Sequence, residues 1–226
     1  MTQMGLATTV EAGRLSLAEK SYQLLVRKIT RLEIAPGAVL AEKLLMADLG
    51  IGRTPIREAL QRLAIEGLVS HQPNRGMFVA AISATSVQHI YEFRALIDRF
   101  TARLAALRAS EGEIRELAEL QLLLVTATDE DDIDSYVELD RHWYELLAQA
   151  AQNIYLSEVV PRIFNLHLRL WFFISRKIGG WHPIARAHEE MTKGVVDALR
   201  RRQPEQAEQA MTTYISGRHR EIKELL

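Results

Sequence analysis

A regular hydrophobic pattern lies between residues 53 and 66, where apolar side chains recur every three or four positions. The apolar stripe consists of Ile56, Ala59, Leu60 and Leu63. This spacing predicts an amphipathic helix with one face in a core. Thr54 is placed to cap the start of this helix, with Pro55 at its first helical position, and Gly67 falls where a left-handed residue would end it.

A shorter helical pattern precedes this helix, over about residues 41–49. Its apolar side is expected to consist of Leu44, Leu45 and Leu49. Residues 50–52, Gly-Ile-Gly, supply a turn between the two helices. Two short strand patterns follow at 68–71 and 77–80, and the Pro-Asn-Arg-Gly segment at 73–76 has the residues of a tight turn. The pattern therefore predicts two helices joined by a turn, followed by a β-hairpin.

Polar side chains on this unit suit contact with DNA. Arg57 and Gln61 are four residues apart and lie off the apolar stripe, with Thr54 on the same side. Lys43 lies near the start of the first helix, and Arg75 lies at the hairpin tip. An arginine can form two hydrogen bonds to a guanine edge, a contact worth about 1–3 kcal/mol of discrimination between bases. The unit is therefore predicted to read a major groove.

The string GRTPIREALQRLAIEGLVSHQPNRG resembles the winged helix-turn-helix of the GntR family of bacterial transcription regulators, and the resemblance covers about residues 17–79. It implies that bases and phosphates are contacted by Arg53, Thr54 and Arg57. It also implies a wing tip at Arg75-Gly76, and Lys43 stands where the family usually has Arg. Ala41 stands where the family often has a Ser cap, and the lost hydrogen bond costs roughly 1 kcal/mol.

After about residue 83 every long segment has helical spacing. Helices are predicted over 84–108, 111–126, 132–149, 152–177, 183–202 and 204–224. The predicted fold is mainly α, with a winged helix-turn-helix in front of an all-helical antiparallel bundle. The expected division of the chain is a flexible tail at 1–13, a DNA-binding domain at 14–80 and a helical effector-binding and dimerisation domain at 81–226.

The helical half resembles the FCD effector domain of the FadR subfamily. The matching strings are YEFRALIDRFTARLAA, LDRHWYELLAQAAQNIYL and VVDALRRRQPEQAEQAM. The resemblance implies a helical bundle with a polar cavity inside, and a homodimer formed through the bundle helices. Two copies of the DNA-binding domain would then read a palindrome with matched half-sites.

Many FCD domains bind a divalent metal with one Asp and three His. Carried over by resemblance, the Asp falls on Asp140, and the three His positions fall on Tyr144, Thr192 and Tyr214. Tyr and Thr hydroxyls are poor metal ligands at neutral pH, so no metal is expected at the family position. A displaced site formed by His142 and His188 is an alternative.

The residues at these positions instead predict a polar effector site. Its expected members are Arg94, Asp140, Tyr144, His188, Thr192 and Tyr214. Our hypothesis is a small organic acid held by Arg94 through paired hydrogen bonds. The alternative for Arg94 is a salt bridge to Asp98 on the next turn.

Composition and charge narrow the functional class. The chain has 226 residues and no cysteine, which excludes a disulfide framework and thiolate metal sites and fits a reducing cytoplasm. Residues 14–80 carry ten Lys or Arg and six Asp or Glu, a net charge of +4, whereas residues 81–226 carry eighteen and twenty-two, a net charge of −4. A basic front half fits DNA binding. No membrane span and no secretory signal is expected.

Enzymatic function is not expected, because the sequence has no phosphate-cradling glycine loop, no Gly-x-Ser-x-Gly and no His-Glu-x-x-His. No cofactor is expected either. The sequence predicts a cytoplasmic, ligand-responsive regulator, a repressor, that binds an operator in double-stranded DNA as a dimer. The alternatives are a ligand-independent DNA-binding protein and a regulator that senses a metal through the displaced site.

Overall fold

The computed structural model describes residues 15–226, and the predicted tail at 1–13 lies outside the described residues. The front half contains α1 (Leu17–Thr30), α2 (Glu42–Leu49), α3 (Arg53–Ile65), β1 (Val69–Gln72) and β2 (Gly76–Val79). The rear half contains α4 (Ala84–Arg108), α5 (Glu111–Asp129), α6 (Ile133–Ala150), α7 (Ile154–Ile178), α8 (His182–Arg200) and α9 (Pro204–Leu225). The mainly helical fold with a hairpin wing is confirmed. None of the helices in this described part has the length and hydropathy to span a bilayer.

Helix α3 forms where the apolar stripe predicted it, and all four stripe residues are buried. The prediction that Thr54 caps this helix is wrong. The cap is Gly52, whose backbone is already extended, so the helix begins at Arg53 and Thr54 lies in its first turn. Gly67 has a φ of +79°, and the Leu68 amide donates to the Leu63 carbonyl at 3.0 Å. The left-handed end of the helix is therefore confirmed.

Helix α2 also has the predicted ends, with Gly50 in the left-handed region at a φ of 64°. Ala41 precedes the helix and makes no side-chain cap bond, as its apolar side chain requires. The prediction that Leu44 faces the core is wrong, because its side chain is 69% exposed. Leu45 is buried and Leu49 packs against the same core, so α2 is rotated to face α3 with these two residues.

The wing is a two-stranded antiparallel hairpin in which Val69 pairs with Val79 and Gln72 pairs with Gly76. The Arg75 amide donates to the Gln72 carbonyl at 3.0 Å and closes the turn. The turn therefore forms at the predicted residues, and Arg75 lies at its tip. Each strand is displaced by one residue from the predicted range.

The six rear helices enclose a second apolar core. Residues without exposure in this core include Val87, Leu117, Trp143 and Ile184. Helices α8 and α9 are joined by only three residues and pack along each other. A Cβ atom at Gly194 would approach the Ala210 Cβ atom to 3.2 Å, so this glycine permits the close approach of the two helices. Helix α5 ends three residues later than predicted, at Asp129.

The two cores meet where α1 packs on α7. Leu166 on α7 contacts both cores. Arg169 donates from Nη1 to the Ala80 carbonyl at 2.9 Å, and Arg176 donates from Nη2 to the Arg31 carbonyl at 2.7 Å. Helix α7 therefore lies against both the front and the rear half.

Candidate functional site

All seven residues predicted to contact DNA are exposed and lie on α2, α3 or the wing. They are Lys43, Arg53, Thr54, Arg57, Gln61, Arg75 and Gly76, and we call this set the reading face. Arg57 and Gln61 on α3 line one groove together with Arg75 and Gly76 of the wing. The exposed start of α3 adds free backbone N–H groups and the positive end of a helix dipole, which favour a phosphate.

Glu42, which the sequence analysis did not select, connects two arginines of the reading face. Its carboxylate lies 3.3 Å from Arg57 Nε and 3.6 Å from Arg53 Nε. Exposed ion pairs of this kind contribute about 0–1 kcal/mol, so a DNA phosphate or base can compete for either arginine. The position of Glu42 in the first turn of α2, one residue before Lys43, is the signal that could have identified it.

The rear half contains a group of buried polar side chains, which we call the polar cluster. Its members are Arg94, Asp140, Tyr144, His188 and Tyr214. They come from four helices, α4, α6, α8 and α9. The His188 ring packs against the Tyr144 ring at 5.8 Å between centroids and against the Tyr214 ring at 5.4 Å. The five predicted effector residues of this cluster therefore lie together, with His188 at the centre.

Each ring nitrogen of His188 faces one polar side chain. Its Nδ1 lies 3.0 Å from the Tyr136 hydroxyl and forms a hydrogen bond. Its Nε2 lies 3.1 Å from Asp140 Oδ1, but the two groups lack the alignment of a hydrogen bond. Nε2 therefore retains hydrogen-bonding capacity inside the cluster.

The structure corrects the prediction that Arg94 holds a ligand through paired hydrogen bonds. Nε and Nη2 of Arg94 each lie 2.8 Å from Asp98 Oδ2, so the alternative prediction of a salt bridge is confirmed. Nη2 also donates to the Tyr144 hydroxyl at 3.1 Å. Nη1 remains without a partner, so Arg94 can offer N–H groups of one nitrogen to a ligand.

Several buried polar atoms of this region have no hydrogen-bond partner within residues 15–226. They are Arg94 Nη1, Asp140 Oδ1, Trp143 Nε1, His188 Nε2 and the Tyr214 hydroxyl. Buried polar groups in folded proteins are nearly always paired with protein or with water. These atoms come from four helices around one ring, so together they can pair with water or with a polar ligand.

Burial sets the ionisation of the cluster. It raises the pKa of Asp140 to about 7, although the cations Arg94 and Arg141 act in the opposite direction. Burial, together with Arg94, lowers the pKa of His188 to about 3 and that of His167 well below its usual value. Both imidazoles are therefore neutral near pH 7, whereas Asp140 exists in both protonation states.

Thr192, the sixth predicted effector residue, is buried, but its hydroxyl donates to the Glu189 carbonyl at 3.0 Å within α8. The displaced site of His142 and His188 is wrong, because His142 is exposed beside Glu116 while His188 is buried. In the described part of the chain no three His, Asp or Glu side chains are arranged to hold a metal ion.

Sequence reasoning missed three neighbours of the polar cluster. Tyr136 precedes Asp140 by four residues, so helical spacing could have placed it on the same face of α6. Trp143 follows Asp140 by three residues on the same helix, and its ring is fully buried with an unpaired Nε1. His167 on α7 packs near Tyr144, at 6.2 Å between ring centroids, and no local pattern marked it.

Comparison with known proteins agrees with both parts of the fold. The family model described as "Bacterial regulatory proteins, gntR family" matches residues 17–79, and the model described as "FCD domain" matches residues 89–217. The chain is 26% identical over 207 residues to the HTH-type transcriptional repressor RspR of Escherichia coli strain K12, covering 92% of this chain and 89% of that protein. It is 32% identical over 155 residues to the Nta operon transcriptional regulator of Aminobacter aminovorans, covering 69% and 70%.

Solved structures share the arrangement of elements. A putative GntR transcriptional regulator from Rhodococcus sp. RHA1 superposes with a TM-score of 0.74 at 22% identity, covering 94% of this chain and all of that one. E. coli McbR/YncC superposes with a TM-score of 0.73 at 19% identity, covering 90% and 95%. At these identities the likeness shows the fold alone.

Proposed function

The chain belongs to the GntR family of bacterial regulatory proteins and carries an FCD domain, and on this premise we propose that it is a homodimeric repressor released from a palindromic operator by a small organic acid. It is a DNA-binding transcription regulator and not an enzyme. The observation that carries the finer proposal is the buried polar cluster with its unpaired donors, behind an exposed reading face.

The reading face supports sequence-specific DNA binding. Helix α3, here called the recognition helix, presents Arg57 and Gln61 outward while its apolar stripe anchors it in the core. In the proposed complex Arg57 reads a base edge, Arg53 and Thr54 contact phosphate at the helix start, and Arg75 contacts the backbone from the wing. Glu42 serves as a positioning residue that keeps the two arginines side by side.

An apolar stripe on α4 supports the homodimer. The stripe consists of Phe93, Leu96, Phe100 and Leu107, with 41 to 60% of each residue exposed. These residues recur at three, four and seven positions and so share one face of the helix. Contiguous exposed apolar surface marks an interaction site, and a second copy related by a two-fold axis covers the same stripe on both subunits.

The polar cluster supports a small anionic effector. Arg94 Nη1, Trp143 Nε1 and the Tyr214 hydroxyl are unpaired donors, and Asp140 becomes a further donor when it is protonated. An anion favours the neutral form of Asp140, so binding is expected to take up a proton. RspR and the gluconate operon repressor of Bacillus subtilis are named as repressors, which supports repression rather than activation as the role proposed here.

A two-part experiment tests the proposal. The full chain is titrated onto the DNA upstream of its own gene and onto random DNA of equal length, with and without each member of a panel of mono- and dicarboxylates. The proposal expects preference for the upstream DNA, and release by at least one carboxylate. Tyr214→Phe should weaken the binding of that carboxylate, whereas His142→Ala, a change at the exposed surface, should leave its binding unchanged.

Two outcomes contradict the proposal. Equal affinity for both DNAs, falling steeply with salt, would show a ligand-independent and sequence-independent DNA binder. Binding of a carboxylate that is unaffected by Tyr214→Phe would place the effector outside the polar cluster.

A further inference from the structure

A chain of hydrogen bonds crosses from the recognition helix to the rear half. The Tyr22 hydroxyl on α1 donates to the Glu66 carboxylate, lying 2.8 Å from Oε2 and 3.0 Å from Oε1. Glu66 is the C-terminal cap residue of α3, directly after Ile65. The same hydroxyl accepts a hydrogen bond from Asn165 Nδ2 on α7 at 3.2 Å. Tyr22 therefore joins the end of the recognition helix to the helical bundle.

A second contact fixes the same end of the recognition helix. The Arg62 guanidinium lies over the Tyr22 ring at 3.5 Å from its centroid. Arg62 also donates to Glu66 at 3.3 Å and to Glu19 on α1 at 2.9 Å. The last turn of α3 is thus held to Tyr22 by the ring and by the hydroxyl, so a displacement of Tyr22 displaces that turn.

The chain continues from Asn165 into α6. Arg141 Nη2 donates to Asn165 Oδ1 at 3.0 Å, so the amide of Asn165 bonds to α6 through its oxygen and to α1 through its nitrogen. Asn165 is 3% exposed. A buried amide bonded on both sides cannot lose one partner without leaving a polar atom unpaired.

The helices that carry this chain also carry the polar cluster. Arg141 follows Asp140 on α6. Phe164 precedes Asn165 on α7, and its ring packs against the Tyr144 ring at 6.0 Å between centroids. Neighbouring residues of a helix point about 100° apart. Each helix therefore presents one residue to the cluster and the next to the contact with the front half.

We propose that Arg141, Asn165 and Tyr22 are positioning residues that transmit the state of the polar cluster to the end of the recognition helix; this proposal rests on the effector role proposed for that cluster. A rigid helix that shifts on its cluster side shifts equally on its other side. The three residues convert that shift into movement of Glu66 and Arg62 at the end of the recognition helix.

Hydrogen–deuterium exchange of full-length protein at constant pH tests this connection without DNA or effector. The peptide measured is residues 62–68, at the end of the recognition helix, and Asp140→Asn supplies the change at the polar cluster. The response to Asp140→Asn is compared in four backgrounds, which are the natural sequence, Tyr22→Phe, Arg141→Met and Arg176→Ala. Tyr22→Phe keeps the ring under Arg62 and removes only the hydroxyl. Arg176→Ala removes a bond between α7 and the end of α1 that leads to no recognition-helix residue.

We expect Asp140→Asn to change the exchange rate of this peptide by about threefold or more in the natural sequence and in Arg176→Ala, and to change it little in the other two backgrounds. A merely structural contact would alter exchange in Tyr22→Phe but leave the response to Asp140→Asn undiminished, and that result overturns the proposal. Absence of any response in the natural sequence also overturns it. Failure to find an operator or an organic-acid effector would instead refute the proposed function and leave this measurement intact.

Discussion

Replacing Asp140 with asparagine gives a direct measure of the electrostatic cost of the polar cluster. The carboxyl is buried, and its pKa rises from 3.8 to about 7 on folding. Each tenfold change in proton affinity corresponds to about 1.4 kcal/mol, so the difference amounts to about 4 kcal/mol. Asparagine has the same shape and cannot ionise.

The sign of the effect follows from proton binding. Between pH 4 and 7 the folded protein holds the Asp140 proton and the unfolded chain does not, so the natural protein loses stability as pH rises through this window. The Asp140→Asn variant has no proton to release at this position, so it does not lose stability in this way. The difference in free energy of unfolding between variant and natural protein should therefore increase from pH 4 to 7, by about 4 kcal/mol, and stay constant above.

His188 acts in the opposite direction, because its pKa falls from 6.5 to about 3 on folding and stability is gained as pH rises between these values. In the range where His188 titrates, residue 140 is uncharged in both proteins, as a protonated Asp140 or as asparagine, so this contribution is nearly the same in both. Urea unfolding followed by tryptophan fluorescence, at one protein concentration and at several pH values, measures the difference. Asp129→Asn, at an exposed carboxylate, is the matched control. Parallel profiles for Asp140→Asn and the natural protein between pH 4.5 and 8 would refute the reasoning.

Three further predictions concern other parts of the molecule. Arg57→Ala should weaken operator binding in an anisotropy titration by about 1–3 kcal/mol, and unchanged affinity would remove Arg57 from base reading. Leu96→Asp should shift the protein to monomer in sedimentation velocity, because a charge then lies in the apolar stripe of α4, and a stable dimer would place the interface elsewhere. Gly194→Val should lower the free energy of unfolding by about 1–3 kcal/mol, because its side chain would be forced against Ala210. An unchanged urea midpoint for Gly194→Val would show that α8 and α9 can move apart without loss of stability.

Local sequence patterns were sufficient for the front half. Helix α3, its left-handed end at Gly67 and the hairpin turn are determined by residues close together in the chain, and each formed where predicted. The two errors in this half arose where neighbouring residues could fill the same structural role. Gly52 and Thr54 are both acceptable cap residues, and the structure has the extended cap backbone at Gly52. Leu44 and Leu45 are adjacent leucines, and the tertiary fit of α2 decided which one is buried.

The polar cluster could be predicted only in part, because its members come from four helices. The resemblance placed Asp140, Tyr144 and Tyr214 in one site, and the structure brings them together. The helical spacing offered Arg94 either a ligand or Asp98 as its partner, and the sequence alone could not decide between them; in the fold the two side chains are buried together and pair. His167 belongs to the site because α7 turns one face toward it, and the orientation of α7 depends on its packing against α6 and α4 as well as α1.

The contact between α1 and α7 limits how the DNA-binding domain of this regulator can be exchanged for that of another. A biosensor built by grafting a foreign DNA-binding module onto this bundle would inherit Asn165 but would lack its acceptor, the Tyr22 hydroxyl on α1. On the proposed coupling, such a hybrid would bind DNA and effector independently of each other. Helix α1 shares the front core with α3 and bonds to its end through Tyr22, so α1 cannot be separated from α3 either, and a new module would have to reproduce the contacts of Tyr22 on both sides.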